Sequence, residues 1–148
     1  MPQLPEKSLR ARALEALSRR EYSRMELMRK LAPHADNPDE LNILLDDLQA
    51  RGWLSDARYA EQMVNARQGR YGSRKIAFEL REKGVAEELI NATLANVHDT
   101  ELERARAVWE RKFGQIPASA REQAKQIRFL QSRGFAWEVI RKILDTIE

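Results

Sequence analysis

Three stretches of this chain carry one short pattern: Leu27 with Leu31, then Ile76 with Leu80 and Lys83-Gly84, then Leu130 with Arg133-Gly134. Leu31, Leu80 and Leu130 lie 49 and 50 residues apart. Recurrence at such a period marks an array of like supersecondary units, because a unit of about fifty residues buries too little apolar surface to stand alone. Each unit must lean on its neighbours. An array of this kind offers extended surfaces for binding rather than a catalytic pocket.

The units are helical. Charged residues make up 33% of the chain against only 6 Gly and 5 Pro, a mixture that suits solvated helices with narrow apolar stripes. Ser23 to Glu26, Thr100 to Glu103 and Ser119 to Glu122 have the form of capping boxes, in which a hydroxyl takes an early backbone N–H and a glutamate reaches back. Asn37-Pro38-Asp39-Glu40 sets a capping Asn before a first-turn Pro and two acids. Gly84 and Gly134 follow basic last turns, as left-handed helix caps do. Between these marks the apolar residues keep helical spacing, as in Leu41, Leu44, Leu45 and Leu48, or Val139, Ile140, Ile143, Leu144 and Ile147. The expected helices are 8–19, 23–32, 38–51, 56–69, 73–83, 86–97, 101–114, 119–133 and 136–147. The expected fold is therefore all-α, three tandem three-helix repeats (1–54, 55–99 and 100–148) in an elongated, curved helical array.

Charge alternates in step with the repeat. The net charge is only +3, but residues 1–35 carry 8 basic and 4 acidic groups, 36–56 carry 1 and 6, 57–85 carry 7 and 3, and 86–103 carry 0 and 5. Residues 104–142 then carry 10 and 3, and 143–148 carry 0 and 2. In the first two repeats the third helix holds the acid and the first two hold the base. Stacked in register, such repeats would show a basic edge and an acidic one.

Other chemistry finds little support. The absence of cysteine removes disulfides, thiolate metal sites and cysteine nucleophiles, and fits a reducing cytoplasm. No apolar run reaches the roughly 18 residues of a membrane span, and Met1-Pro2-Gln3-Leu4-Pro5 lacks the charged and apolar regions of a signal peptide. His34 and His98 fall in links between helices with no metal-ligand spacing around them. Gly69-Arg70-Tyr71-Gly72 has neither the spacing nor the lysine of a phosphate loop, and no Gly-x-Ser-x-Gly elbow occurs. The acidic pairs Asp46-Asp47 and Glu101-x-Glu103 read as solvated helix faces, since near neighbours on a helix diverge. The aromatics Trp53, Tyr59, Phe78, Trp109, Phe113, Phe129, Phe135 and Trp137 read as core or intermodule packing, with Tyr71 the exception. A non-enzymatic protein without metal or cofactor is expected.

Gly52-Trp53-Leu54-Ser55-Asp56-Ala57-Arg58-Tyr59-Ala60, then Asn65-Ala66-Arg67, Gly72-Ser73-Arg74-Lys75-Ile76 and Leu80-Arg81-Glu82-Lys83-Gly84-Val85, resembles the central signature of the RecX family. Ser23, Glu26-Leu27 and Leu31 in the first repeat, and Arg128 to Phe135 in the third, extend the resemblance almost end to end. One departure is Ser55, where the family often has a second acid; Asp56 alone is expected to cap the following helix. The resemblance implies an all-helical modulator that binds the RecA recombinase, restraining its filament on single-stranded DNA and with it recombination, DNA repair and SOS induction.

The residues themselves suggest where such binding would occur. Arg67, Arg70, Arg74, Lys75, Arg81 and Lys83 span one helix, its turn and the next, near Tyr71. Arg24, Arg29 and Lys30 hold the corresponding helix of the first repeat, and Arg128 and Arg133 that of the third. Basic groups repeated along an array suit DNA or a nucleoprotein filament. The acids Asp46, Asp47, Glu87 and Glu88 are the candidates for facing the recombinase. Lodging along the filament groove and capping a filament end stand equally open, with the protein expected to act as a monomer. The rival readings are a sequence-reading helix-turn-helix built on 56–69 and 73–83, and a helical scaffold that touches no nucleic acid.

Overall fold

The computed structural model describes residues 7–146, and among them there are nine α-helices and no strand. They are α1 (Leu9–Arg19), α2 (Arg24–Leu31), α3 (Pro38–Ala50), α4 (Asp56–Arg67), α5 (Ser73–Glu82), α6 (Glu87–Asp99), α7 (Glu101–Lys112), α8 (Ala120–Ser132) and α9 (Trp137–Thr146), with a 3-10 turn at Ala32–His34. Ile147, expected at the end of the last helix, lies outside the described residues.

The starts and stops follow local chemistry. Ser23 and Glu26 form a complete capping box: the Ser23 hydroxyl accepts the Glu26 N–H at 3.1 Å, and the Ser23 N–H donates to the Glu26 carboxylate at 3.1 Å. Asn37 accepts the Glu40 N–H at 2.9 Å ahead of Pro38. Gly84 and Gly134 adopt φ of 78° and 89°. Thr100 makes no such box. It is at once the last cap of α6 and the first of α7, and at φ −105°, ψ 4° its hydroxyl donates back to the Val97 carbonyl at 3.3 Å.

Helices α1–α3, α4–α6 and α7–α9, the first, second and third units, each enclose their own buried cluster. Leu31, Leu80 and Leu130 are 1%, 0% and 0% exposed, so the repeated leucine is the centre of each core. Burying such a side chain stabilises a unit by about 1.5–3 kcal/mol, too little from so few residues to hold fifty residues alone.

What joins the units is a repeated junction at the ends of their second helices. The C-terminus of α8 meets the N-terminus of α5: the Gly72 and Arg74 N–H groups donate to the carbonyls of Arg133 at 2.7 Å and Gly134 at 3.2 Å. Orphan donors of one helix thus satisfy orphan acceptors of another, negative end on positive end. The backbones approach so closely that a Cβ on Gly134 would lie 2.3 Å from that of Lys75, and one on Gly72 would lie 2.4 Å from the Gly134 carbonyl oxygen. The C-terminus of α5 meets the N-terminus of α2 at the corresponding place through side-chain packing, where a Cβ on Gly84 would lie 2.9 Å from the Cβ of Met25.

A carboxylate repeats at the same junctions. The first N–H of α2, on Arg24, donates to Asp56 at 2.8 Å, and the first N–H of α5, on Ser73, donates to Glu101 at 2.9 Å. Asp56 and Glu101 are each the first residue of the next unit's first helix. This corrects two expectations. Ser55, not Asp56, caps α4, accepting the Arg58 N–H at 3.2 Å, which frees the Asp56 carboxylate to reach back to the first unit. Glu101 is 4% exposed rather than solvated, because Gly72 has no side chain to cap α5 and Glu101 supplies the missing acceptor.

Candidate nucleic-acid interface

The expected basic residues divide according to what neutralises them. Arg24 pairs with Asp46 at 2.7 Å, Arg67 with Glu79 at 3.1 Å, Lys83 with Glu26 at 3.7 Å and Arg81 with Glu87. Asp47 takes Arg10 at 2.8 Å and Arg51 at 3.0 Å. Hydrogen bonds from Arg10 and then Arg51 hold the Asp47 carboxyl below its ordinary value, and Arg81 does the same for Glu87. Three of the four acids expected to face a recombinase therefore already meet basic groups of their own unit. Glu88 is exposed, with no cation within 4.0 Å among the described residues. The Asp46, Asp47 and Glu87 side chains are 71%, 37% and 57% exposed, so their pairs contribute little stability and leave the acids accessible.

Arg29, Lys30, Arg70, Arg74, Lys75, Arg128 and Arg133 have no carboxylate within 4.0 Å among the described residues. Two of them, Lys75 and Arg133, are instead held by aromatic rings. Lys75 Nζ lies 4.5 Å from the centre of the Tyr71 ring, and the Arg133 guanidinium 5.4 Å from Tyr71 and 5.0 Å from Phe129. Lys112 Nζ lies 5.3 Å from Phe129, whose ring is steadied edge-on by Phe113 at 5.4 Å. A ring attracts a cation through its quadrupole without cancelling its charge. The side chains are positioned while their charge stays available to an outside anion.

This concentration falls where the second and third units meet. Arg70, Arg111, Lys112 and Arg133, with Val108 and Phe129 as an apolar floor, line an open pocket of about 460 Å³, and no carboxylate among the described residues lines it. The α4–α5 turn that carries Arg70 is fixed from α7. Arg104 donates to the carbonyls of Gln68 at 2.7 Å, Tyr71 at 3.0 Å and Val97 at 3.0 Å, and Arg111 donates to that of Gly69 at 3.0 Å. Burial pulls the Arg104 guanidinium below the usual arginine value, opposed by the Glu101 carboxylate, and it stays charged at neutral pH.

Of the expected residues, Arg70 and Arg133 line the pocket, and Lys75 shares the Tyr71 ring with Arg133. Arg74 and Arg128 are exposed on α5 and α8 but do not line it, and Arg29 and Lys30 lie on the first unit. Lys30 lines a separate pocket there with Arg12, Arg19 and His34. Sequence reasoning missed Arg104, Arg111, Lys112 and Phe129. A basic pair closing a helix, as Arg111-Lys112 closes α7, was the readable signal. Phe129, expected in core or intermodule packing, does pack against the core of the third unit and in addition floors the pocket. Trp53, Phe78 and Trp137, also expected as packing residues, are largely exposed, Phe78 at 59%, while Trp53 lies against Arg10 and Arg51. Among the described residues no three His, Cys, Asp or Glu side chains gather as metal ligands, and no helix is long and apolar enough to cross a membrane.

Comparison with known proteins places this architecture. Residues 55–94 match the family model described as the second three-helix domain of RecX, and residues 99–144 match that of its third. The chain belongs to the RecX family. The regulatory protein RecX of Leptothrix cholodnii is 53% identical over 95% of this chain and 89% of its own length. That of Chromobacterium violaceum is 51% identical over 93% and 90%. The crystal structure of RecX from Lactobacillus salivarius superposes with a TM-score of 0.79 over 93% of this chain and 95% of that one, at 23% identity. The all-α RecX array of three-helix repeats thus persists where most side chains differ. The pocket lies between the two RecX domains that the family models delimit.

Proposed function

We propose that this RecX-family chain binds the RecA recombinase on its nucleoprotein filament and limits its activity, as a cytoplasmic, monomeric regulator without catalytic function. Its working parts are the units 1–54, 55–99 and 100–148. The observation that carries this reading is the set of cations that no carboxylate neutralises, concentrated at the junction of the second and third units. Arg70, Arg74, Lys75 and Arg133 serve the DNA phosphates of the filament, supported by Arg29, Lys30 and Arg128. The part-neutralised Arg24, Arg67, Arg81 and Lys83 shape the same surface. Asp46, Asp47, Glu87 and Glu88 face basic recombinase surface, so neutralising all four is expected to spare binding to naked DNA and weaken filament inhibition.

The junction also speaks against the helix-turn-helix alternative. A recognition helix reads base edges with its N-terminal residues, which must enter the major groove. The N-terminus of α5 is instead covered by Glu101 and by the α8 terminus at Gly134.

Co-sedimentation with RecA filaments, with and without single-stranded DNA, tests the reading; recovery in neither condition would overturn it. If Arg70, Arg74, Lys75 and Arg133 include about three phosphate contacts, changing all four to alanine should flatten the slope of log affinity against log salt by about 2, at roughly 0.7 per contact on a single strand. Helical content should be kept, because none of the four side chains supports a core. An unchanged slope would remove the electrostatic mechanism.

A further inference from the structure

We propose that the pocket between the α4–α5 turn and helices α7 and α8 is a clamp for the phosphodiester backbone of an unpaired strand, and that filling it fastens the third unit onto the second. The inference rests on the filament reading only for the source of the strand. Its walls come from both units: Arg70 from the turn of the second, Arg111, Lys112 and Arg133 from the third. A ligand that touches both walls binds the docked arrangement and not the parted one, so it must stabilise docking by linkage.

Three features specify the ligand. The four cations, with no carboxylate lining the pocket among the described residues, select an anion with several charged oxygens, which guanidinium forks suit. A volume of about 460 Å³ falls in the range of roughly 300–1,000 Å³ that holds small organic ligands, more room than one phosphate needs. Val108 and Phe129 make the floor apolar, so a nucleotide whose base is free to turn inward fits, whereas a paired base cannot leave its stack without cost.

The same place is where docking is most exposed to loss. The hydrogen bonds from Gly72 to the Arg133 carbonyl and from Arg74 to that of Gly134 close the junction, and the Arg133 side chain lines the pocket beside them. A bound strand drawn to Arg133 and Arg70 together holds those two hydrogen bonds shut.

Hydrogen exchange on the full chain, alone and with a short thymidine oligonucleotide, reads this directly. The oligonucleotide should slow exchange at the Gly72 and Arg74 amides, while inorganic phosphate alone should have little effect on them. Arg70→Gln with Lys112→Gln is the informative variant, since neither side chain bonds the backbone of the junction. It should lose that protection, and its salt slope should be shallower by about 1.4, at roughly 0.7 per phosphate contact. Oligonucleotide binding without protection at the junction would overturn the clamp, and equal protection by inorganic phosphate would overturn its assignment to a strand. RecA co-sedimentation in parallel separates the two ideas: a wild-type chain that sediments with filaments yet shows no protection loses the clamp and keeps the filament reading.

Discussion

Gly134→Ala will loosen the third unit from the second and lower stability by about 3 kcal/mol, from a left-handed backbone that costs an L residue roughly 1–2 kcal/mol and a clash that must displace a neighbour. Glycine is required there twice over: φ is +89°, and an added Cβ would lie 2.3 Å from the Cβ of Lys75 and 2.6 Å from its backbone nitrogen. Two other glycines separate these causes. Gly52 has φ +76° with nothing within 4 Å of an added Cβ, so Gly52→Ala should show the backbone cost alone. Gly72 has φ −81°, unstrained for any residue, but its Cβ would meet the Gly134 carbonyl oxygen at 2.4 Å, so Gly72→Ala should show the clash alone. Thermal unfolding should place Gly134→Ala lowest, about 6–12 °C below the parent for a loss of this size. A Gly134→Ala chain that melts with Gly52→Ala would mean that the junction contributes nothing.

Glu101→Ala is expected to cost about 2–3 kcal/mol, because hydrogen bonds to a charged group contribute roughly 1.5–3 kcal/mol and the donors left behind are buried. The carboxylate accepts the Ser73 N–H at 2.9 Å and the Ser73 hydroxyl at 3.0 and 2.9 Å, and Ser73 is itself buried. Burying a carboxylate carries its own desolvation cost, which removal relieves. The lost bonds prevail, since the Ser73 N–H and hydroxyl then have no acceptor: Gly72 offers no side chain, and a buried helix end cannot turn to water. Glu101→Gln keeps an oxygen for the Ser73 N–H and gives up the charge, so it should cost roughly a third as much if the hydrogen bonds dominate and as much as alanine if the interaction with the helix dipole does. Chemical denaturation of the three proteins decides it. Exchange at the α5 amides in Glu101→Ala should quicken together with exchange in the third unit, and quickening confined to α7 would contradict a shared junction.

Much of the fold was legible because its causes are local. The spacing of Leu31, Leu80 and Leu130 marked the three core centres, and the helix limits follow from Ser23, Asn37, Gly84 and Gly134 acting within a turn of themselves. Thr100 shows where local signals conflict: its capping-box pattern does mark a helix boundary, but with one residue shared between two helices the hydroxyl turns to the Val97 carbonyl instead.

The candidate site was legible only in outline. A surplus of basic residues with the period of the repeat is a property of composition, and it pointed to Arg70, Lys75 and Arg133 along with Arg24, Arg67, Arg81 and Lys83. Which of them keep their charge available depends on carboxylates brought up by other helices, as Asp46 is to Arg24 and Glu79 to Arg67.

The sequence by itself determined nine helices, their triplet order and the apolar residue at the heart of each unit, since capping and amphipathic spacing act over a few residues. Only the tertiary structure decided that Glu101 is a buried cap, that Gly72 and Gly134 touch, and that Arg111, Lys112 and Phe129 join Arg70 in one pocket. Those facts are contacts between residues tens of positions apart. A carboxylate on a helix face looks the same in sequence whether it meets water or the open end of a neighbouring helix, and the packing of one unit on the next makes that choice.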